Sequence, residues 1–152
     1  YIPRTREMYP EYLPYRWVVS ENAPWTPLTR PLRLSRVALV GSGGVYHREQ
    51  QPFHTNDDTS WREIPSDVAV SDLRVSHFGY VTDDARRDPN CVFPLERLRE
   101  LEKEGLFGEL SSPAYSFMGG IYSSRRVREE VAPWLVEHLH KNEVEVLFLV
   151  PA

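Results

Sequence analysis

Two short segments carry the groups best suited to chemistry. GSGGVYH contains Ser42, Gly43 and Gly44, whose backbone N–H groups could face an anion, because glycines let a chain turn sharply. SHFGY contains His77 and Tyr80, two side chains that can donate a proton or position a substrate. Both segments follow apolar, strand-like runs. In a parallel sheet they would meet at one edge, where open α/β sheets bind their ligands.

Each segment also has a structural interpretation. GSGG lacks the third glycine of a dinucleotide-binding fingerprint, so a plain tight turn is the simpler explanation. A single histidine such as His77 is more often structural than catalytic. A hydrolase that pairs Ser42 with His77 is disfavoured, because the spacing G-x-S-x-G is absent and no acid partner is apparent.

A long polar stretch, residues 46–72, separates these two segments. Loops of this length are usually functional or disordered, and Trp61 and Ile64 argue against disorder. Within it, Arg62 could hold a substrate carboxylate through two hydrogen bonds, or it could pair with its neighbour Glu63. The histidines and aspartates of the stretch are irregularly spaced, so no metal site is predicted.

Composition excludes several classes of protein. A net charge of −4 argues against nucleic acid as a partner, and no apolar run is long enough to span a membrane. We expect no signal peptide, because the first residues lack its charged, apolar and small-residue pattern, and the single cysteine, Cys91, cannot form an internal disulfide. A reducing cytoplasm is therefore the default location. Nothing near Cys91 marks it as a nucleophile, which favours a buried structural thiol.

The apolar periodicity predicts strands at Val37–Val40, Leu73–His77 and Val144–Val150, all running in one direction. FPLERLRELEKEG predicts a helix that ends at Gly105. A second helix should begin at Ser123 or Ser124 and bend at a proline inside it. Helices alternating with apolar strands indicate an α/β fold, a mostly parallel sheet flanked by helices in a Rossmann-like or flavodoxin-like three-layer arrangement.

The first 34 residues differ from the rest in composition. They hold six of the 13 prolines, which disfavour long helices. They also hold six aromatic residues, whose apolar rings are costly to leave in water and tend to pack on protein. We expect residues 1–34 to form an extended arm that packs on its own domain or on a neighbouring subunit. Residues 35–152 are expected to form the α/β domain.

Several segments together resemble a known family. ALVGSGGVY, SWREIP, VSHFGY, DARRDPNCVFPLERLRELEKEGLFGEL, YSFMG and VEVLFLVPA are similar, in this order, to the glycine/sarcosine/betaine reductase selenoprotein B family. That family includes the selenoprotein subunit of D-proline reductase. The resemblance covers nearly the whole chain, and the run from Asp84 to Gly108 is its most specific part.

The resemblance implies a redox centre that the sequence itself does not contain. In the family, a strand like VLFLVP leads directly into a selenocysteine or cysteine, so that residue is expected just after Ala152, in a longer family domain. A selenocysteine codon read as a stop, a partly covered chain, or redox residues on a separate polypeptide would each explain its absence. Cys91 does not match the redox position, and the 152-residue chain alone is expected to be inactive.

The resemblance also implies a function. We expect a component of a selenol- or thiol-dependent reductase that cleaves a carbon–heteroatom bond or transfers electrons, with a carboxylate-bearing substrate and a redox partner or second subunit in a homo- or hetero-oligomer. The alternative is a non-catalytic subunit that binds a small anion or assembles a larger enzyme. The expected catalytic residues are His77 and Tyr80, and the expected substrate-binding residues are Ser42, Gly43, Gly44 and Arg62.

Overall fold

The computed structural model describes residues 21–54 and 56–152, together with the single positions 7 and 10. Most of the predicted arm therefore lies outside the described residues. The part that is described, residues 21–34, is exposed along its whole length, and Trp25 is 86% exposed. No residue of this segment is buried, and Arg30 forms an ion pair with Glu145 of the domain.

A five-stranded sheet and a two-stranded ribbon form the framework. The strands are β1 (Arg36–Gly41), β2 (Val45–His47), β3 (Trp61–Ile64), β4 (Leu73–Val75), β5 (Glu109–Leu110), β6 (Ala114–Phe117) and β7 (Val146–Val150). β1 is central: β7 runs parallel along one side of it, and β5 and β6 pair in parallel with its first and last residues. β3 is antiparallel to β6. The α/β class and the shared direction of Val37–Val40 and β7 are confirmed.

The prediction that Leu73–His77 joins this parallel sheet is wrong. The strand β4 pairs antiparallel with β2 in a separate ribbon. Its middle residue, Arg74, is exposed while Leu73 and Val75 are buried. This alternation is typical of an antiparallel strand that buries one face, whereas parallel strands covered on both faces are apolar throughout.

Helices complete the regular structure. They are α1 (Asp83–Arg87), α2 (Leu95–Lys103), α3 (Ser124–Arg126), the π-helical segment Val127–Val131 and α4 (Ala132–Lys141). Short 3₁₀ helices lie at Leu32–Leu34, Val70–Asp72 and Pro89–Cys91.

The end of α2 confirms the predicted glycine stop. Gly105 has φ +75°, its N–H donates to the carbonyl of Glu102, and the N–H of Leu106 donates to the carbonyl of Leu101. This pair of bonds satisfies carbonyls that would otherwise be unpaired at the helix end. At the other end, the side chain of Asn90 accepts a hydrogen bond from the backbone N–H of Glu96.

The second long helix begins at Ser124, within the predicted start at Ser123 or Ser124, and the Ser123 hydroxyl caps it by accepting a bond from the Arg126 N–H. The irregularity expected at Pro133 is a π-helical turn just before it, and the Ala132 N–H donates to Val127, five residues back. Proline has no N–H and its ring crowds the preceding turn of an α-helix. The wider π turn relieves that crowding locally.

Alternating side chains of β6 divide the core into two layers. Ala114 belongs to the main apolar cluster with Phe93, Leu95 and Leu98, which covers one face of the sheet. Tyr115 points to the other face, where its ring contacts Trp134 of α4. The two faces of this part of the sheet are therefore covered by different helices.

The long polar stretch is ordered by buried and paired charges. Asp58 is 4% exposed and accepts hydrogen bonds from the N–H groups of His54 and Ser60. Burial raises the pKa of Asp58, but hydrogen bonds from Ser60 and His54 outweigh it and lower the pKa. Arg126, on α3, donates to the carbonyl of Asp57 and so ties the stretch to the helix.

Two glycines with positive φ allow a direct test of the turn that follows β1. Gly44 has φ +69°, and an added Cβ would lie 2.1 Å from the carbonyl oxygen of Ser76, whereas Gly105 has open space around it. Gly105→Ala should cost about 1–2 kcal/mol of unfolding free energy, for the left-handed backbone alone. Gly44→Ala should cost about 1–3 kcal/mol more, because backbone must move. Urea unfolding of both variants measures the difference, and equal losses would contradict the close approach.

Candidate functional site

Ser42 joins the ends of three strands. Its N–H donates to the carbonyl of Val150 (3.0 Å), its carbonyl accepts from the N–H of Gly119 (2.9 Å), and its hydroxyl accepts from the N–H of Ala152 (2.9 Å). Ser42 is only 8% exposed, so these bonds are largely shielded from water. The residue fixes the path of the backbone as it leaves β7, and its hydroxyl uses one of its acceptor sites for this bond.

The two glycines after Ser42 bring a second loop against the sheet edge. The N–H of Gly44 donates to the carbonyl of Phe117, and its carbonyl accepts from the N–H of Ser76 (2.9 Å). The carbonyl of Gly43 accepts from the hydroxyl of Tyr80 (2.9 Å). A side chain at Gly44 would overlap Ser76, so glycine is required by contact as well as by φ.

These contacts limit the anion-binding capacity predicted for the loop. The N–H groups of Ser42 and Gly44 are used by backbone carbonyls. Among the described residues, the N–H of Gly43 is the one of the three without a hydrogen bond. The loop therefore offers one backbone donor, and its main role is to hold strand ends together.

His77 lies beside this loop with a defined hydrogen-bonding state. Its Nδ1 accepts a bond from the N–H of Gly79 (2.8 Å), so in the neutral ring the proton is on Nε2. Nε2 is buried and has no partner in the described part of the chain. Burial lowers the pKa of His77, which favours the neutral imidazole. A buried donor without a partner costs about 1–3 kcal/mol, and among the described residues Arg36 Nε, Trp61 Nε1 and Ser111 Oγ share this state.

Tyr80 packs against His77, with ring centroids 4.7 Å apart. Burial raises the pKa of Tyr80, and the nearby Cys91 raises it further, so the phenol stays protonated. Its proton is donated to the carbonyl of Gly43. In this arrangement Tyr80 positions the glycine loop.

Arg62 makes its hydrogen bonds within the polar stretch. Its guanidinium donates to the carbonyls of Gln51 (2.8 Å) and Trp61 (2.8 Å) and to the hydroxyl of Ser60. It also lies over the ring of Phe53, 4.2 Å from the ring centroid. These contacts use the planar donor fork to organise the polar stretch.

Two aromatic residues at the edge of the site were not predicted. The ring of Phe78 is nearly parallel to that of His77 (centroids 5.8 Å apart) and to that of Tyr122 (6.3 Å). Gly120 lies under Phe78, and a Cβ there would come within 2.4 Å of the ring. The signal available in the sequence was the glycine pair that follows β6, since consecutive glycines after a strand permit such close approach.

Cys91 lies near the site but is exposed, so the prediction of a buried thiol is wrong. It ends a short 3₁₀ helix at the surface, where the turn chemistry of Asp88 and Asn90 places it. Partial desolvation raises the pKa of Cys91, and Asp88 and Asp84 raise it further. A thiol with a raised pKa is a poor nucleophile.

The described residues contain neither of two other kinds of site. No group of three or more histidine, cysteine, aspartate or glutamate side chains there is arranged to hold a metal ion. None of the described helices is long and apolar enough to cross a membrane.

Comparison with known proteins identifies relatives over most of the chain. A family model described as glycine/sarcosine/betaine reductase selenoprotein B matches residues 13–151. D-proline reductase subunit gamma from Acetoanaerobium sticklandii is 38% identical over 125 residues, which is 82% of this chain and 52% of the relative. No solved structure matches.

Two further relatives are longer still. Glycine reductase complex component B subunit gamma from Symbiobacterium thermophilum is 28% identical over 85% of this chain and 31% of its own length. Sarcosine reductase complex component B subunit beta from Peptoclostridium acidaminophilum is 30% identical over 69% of this chain and 25% of its own length. The chain thus spans about half or less of these relatives.

Replacing Tyr80 by phenylalanine tests the link between the two loops. Tyr80→Phe removes the donor to the buried carbonyl of Gly43 and should lower the free energy of unfolding by about 1–3 kcal/mol. Tyr122→Phe is the control, because Tyr122 is 74% exposed and its loss should stay within about 0.5 kcal/mol. Chemical denaturation compares the two; equal values would show that the Tyr80 bond contributes nothing.

The neutral state of His77 predicts a titration and a pH dependence. The ring should titrate below its ordinary pKa of about 6.5, which NMR of the imidazole carbons measures directly. As pH falls below about 6.5, the unfolded chain takes up this proton before the folded chain does, so the protein loses stability towards the folded pKa. His77→Asn keeps an acceptor for Gly79 and should remove this loss. A midpoint above 6.5 would contradict the assignment.

Proposed function

Because the chain belongs to the glycine/sarcosine/betaine reductase selenoprotein B family, we propose that it is a component of a selenol- or thiol-dependent reductase complex. Its relatives are named as subunits of D-proline, glycine and sarcosine reductases. The chain spans half or less of their lengths, so the reaction and its substrate are part of the proposal. The proposed reaction is reductive cleavage of a carbon–heteroatom bond or electron transfer to a partner.

The hydrogen bond from the Ala152 N–H to the Ser42 hydroxyl is the observation that carries this proposal. It holds the backbone that leaves β7 against the loop contacted by Tyr80 and packed beside His77. In the family, the redox selenocysteine or cysteine follows this strand directly. A residue there would begin next to the Ser42–Gly44 segment.

The orphan donor of His77 supports the same location. When present, a selenol or thiol would supply the nucleophile that bonds to the substrate carbon and displaces the heteroatom group, and a dithiol would supply the two electrons that release the reduced product, becoming a disulfide and regenerating the selenol or thiol. We assign His77 the role of a hydrogen-bond donor. Its Nε2–H is buried and has no partner among the described residues, and it can stabilise negative charge on the leaving group or on the redox anion. Because the pKa of His77 is lowered, the donor would be the neutral imidazole and not a charged imidazolium.

The remaining predicted residues take supporting roles. Tyr80 and Ser42 position the loop and the end of β7. We assign the backbone N–H of Gly43, a buried residue without a hydrogen bond there among the described residues, to a substrate carboxylate, while Gly44 permits the close approach of Ser76. Arg62 acts through the polar stretch that it organises, since its donors already bind that stretch.

The proposal includes the setting of the protein. We assign the complete domain a Rossmann-like or flavodoxin-like architecture, a cytoplasmic location, a carboxylate-bearing substrate, and a redox partner or second subunit in an oligomer. The alternative function, a non-catalytic assembly subunit, is favoured by one observation. Trp25 and Leu28, in the described part of the arm, are 86% and 52% exposed, and exposed aromatic residues are typical of interfaces.

Activity of matched His77 variants tests the catalytic proposal. The chain is joined to the remaining sequence of the D-proline reductase relative, with cysteine after Ala152, and assayed with dithiol against D-proline, glycine and sarcosine. His77→Asn keeps the bond to Gly79 but lacks the Nε2–H, so turnover should fall at least 100-fold. His77→Gln can place an N–H near Nε2 and should retain more activity. His140→Ala, on the exposed surface of α4, should have no effect.

Two outcomes would contradict the proposal. Turnover by the 152-residue chain alone would show that no redox residue beyond Ala152 is needed. Full activity of His77→Asn would remove the role of the Nε2–H while leaving family membership unaffected.

A further inference from the structure

The strand β7 has the composition of an interior strand and the exposure of a surface strand. Its five residues are all apolar, as in the neighbouring β1, where Val37–Gly41 are buried. In β7, however, Leu147, Phe148 and Leu149 are 39%, 45% and 52% exposed. Successive side chains of a strand point to opposite faces, so β7 exposes apolar surface on both faces, while Val146 and Val150 at its ends pack on the main apolar cluster.

One side of β7 is also open. Within the described residues β7 pairs with β1 alone, which leaves its other edge without a strand. Edge strands of stable proteins are usually protected by charges, prolines or bulges. Val146–Val150 contains no charge and no proline, so nothing in its sequence blocks the addition of another strand.

The composition of β7 limits the kind of segment that can cover it. Strands that are apolar throughout are typical of parallel sheets covered on both faces, so β7 lacks a neighbouring strand and apolar side chains above and below it. The relatives supply the length. D-proline reductase subunit gamma has about as much sequence outside the match as within it, since this chain spans 52% of it.

We propose that β7 is the acceptor for a further β-strand contributed by polypeptide equivalent to the unmatched half of D-proline reductase subunit gamma. That strand pairs with the free edge of β7, and side chains from the same segment cover Leu147, Phe148 and Leu149. The inference rests on family membership and on the exposure of β7. It does not depend on the redox role, because no activity is measured in its test.

The test supplies the unmatched half as a separate polypeptide. This half of the Acetoanaerobium sticklandii protein, carrying an affinity tag, is expressed in the same cells as the 152-residue chain. The two should co-purify in a 1:1 ratio. Amide hydrogen exchange, measured by mass spectrometry, should be at least tenfold slower at Val146–Val150 than in the chain alone, because outward N–H groups become bonded.

A matched pair of lysine variants distinguishes docking on β7 from non-specific association. Phe148→Lys should abolish co-purification, since a charge would be buried in the new sheet. Val136→Lys, which changes a 51% exposed residue on α4, should co-purify normally. If Phe148→Lys fails to fold, as judged by circular dichroism, the exchange measurement on the unaltered chain decides.

Several results would overturn the proposal. These are failure of the two polypeptides to co-purify, unchanged exchange at β7 in the complex, or equal binding by a folded Phe148→Lys variant. Protection of the outward N–H groups of β7, those not bonded to β1, in the chain alone would also overturn it. Protection that rises with concentration would assign the edge to a second copy, and protection independent of concentration would assign it to another segment of the same chain.

Discussion

The hydrogen bonds of Ser42 are the constraint on which the candidate site depends. With its N–H, carbonyl and hydroxyl, this one residue binds Val150, Gly119 and Ala152. Small size matters here: a Cβ at Gly119 would come within 2.9 Å of the Cβ of Ser42. The ends of β1, β6 and β7 are thereby held at one point, and the path of the chain beyond β7 is set before any catalytic group is considered.

The second loop reaches this point by a route that differs from the one expected. A parallel strand would deliver SHFGY to the sheet edge, yet β4 belongs to the antiparallel ribbon with β2. The positive φ of Gly44 turns the chain into that ribbon, and the bond between Gly44 and Ser76 returns the loop to the sheet edge. The two segments therefore meet through a glycine turn and backbone contact.

The candidate residues differ more in their existing hydrogen bonds than in residue type. Ser42, Tyr80 and Arg62 could all serve in chemistry, and each already makes side-chain hydrogen bonds to backbone groups. His77 differs, because one ring nitrogen is bonded and the other is buried without a described partner. The free energy lost by leaving that donor unpaired is recovered only if something binds it, which makes His77 the most informative position for experiment.

Features that depend on local order and composition could be predicted from the residues alone. These are the α/β class, the helix stop at Gly105, the helix start at Ser123 or Ser124, the parallel pairing of the apolar runs around Val37 and Val146, and membership of the family. Each follows from spacing along the chain, which periodicity and turn residues record directly. The antiparallel pairing of β4 also has a local trace, the exposed Arg74 between two buried residues.

The polar groups that remain without a protein partner could be identified only from the contacts of the folded chain. Whether Arg62 faces a substrate or its own loop, whether Cys91 is buried, and whether β7 is covered depend on contacts between residues far apart in sequence. An apolar run such as VLFLV predicts that the strand is buried, but it does not indicate which segment covers it. Burial and hydrogen-bond satisfaction are properties of the assembled chain, and for that reason no pattern of residues could give them.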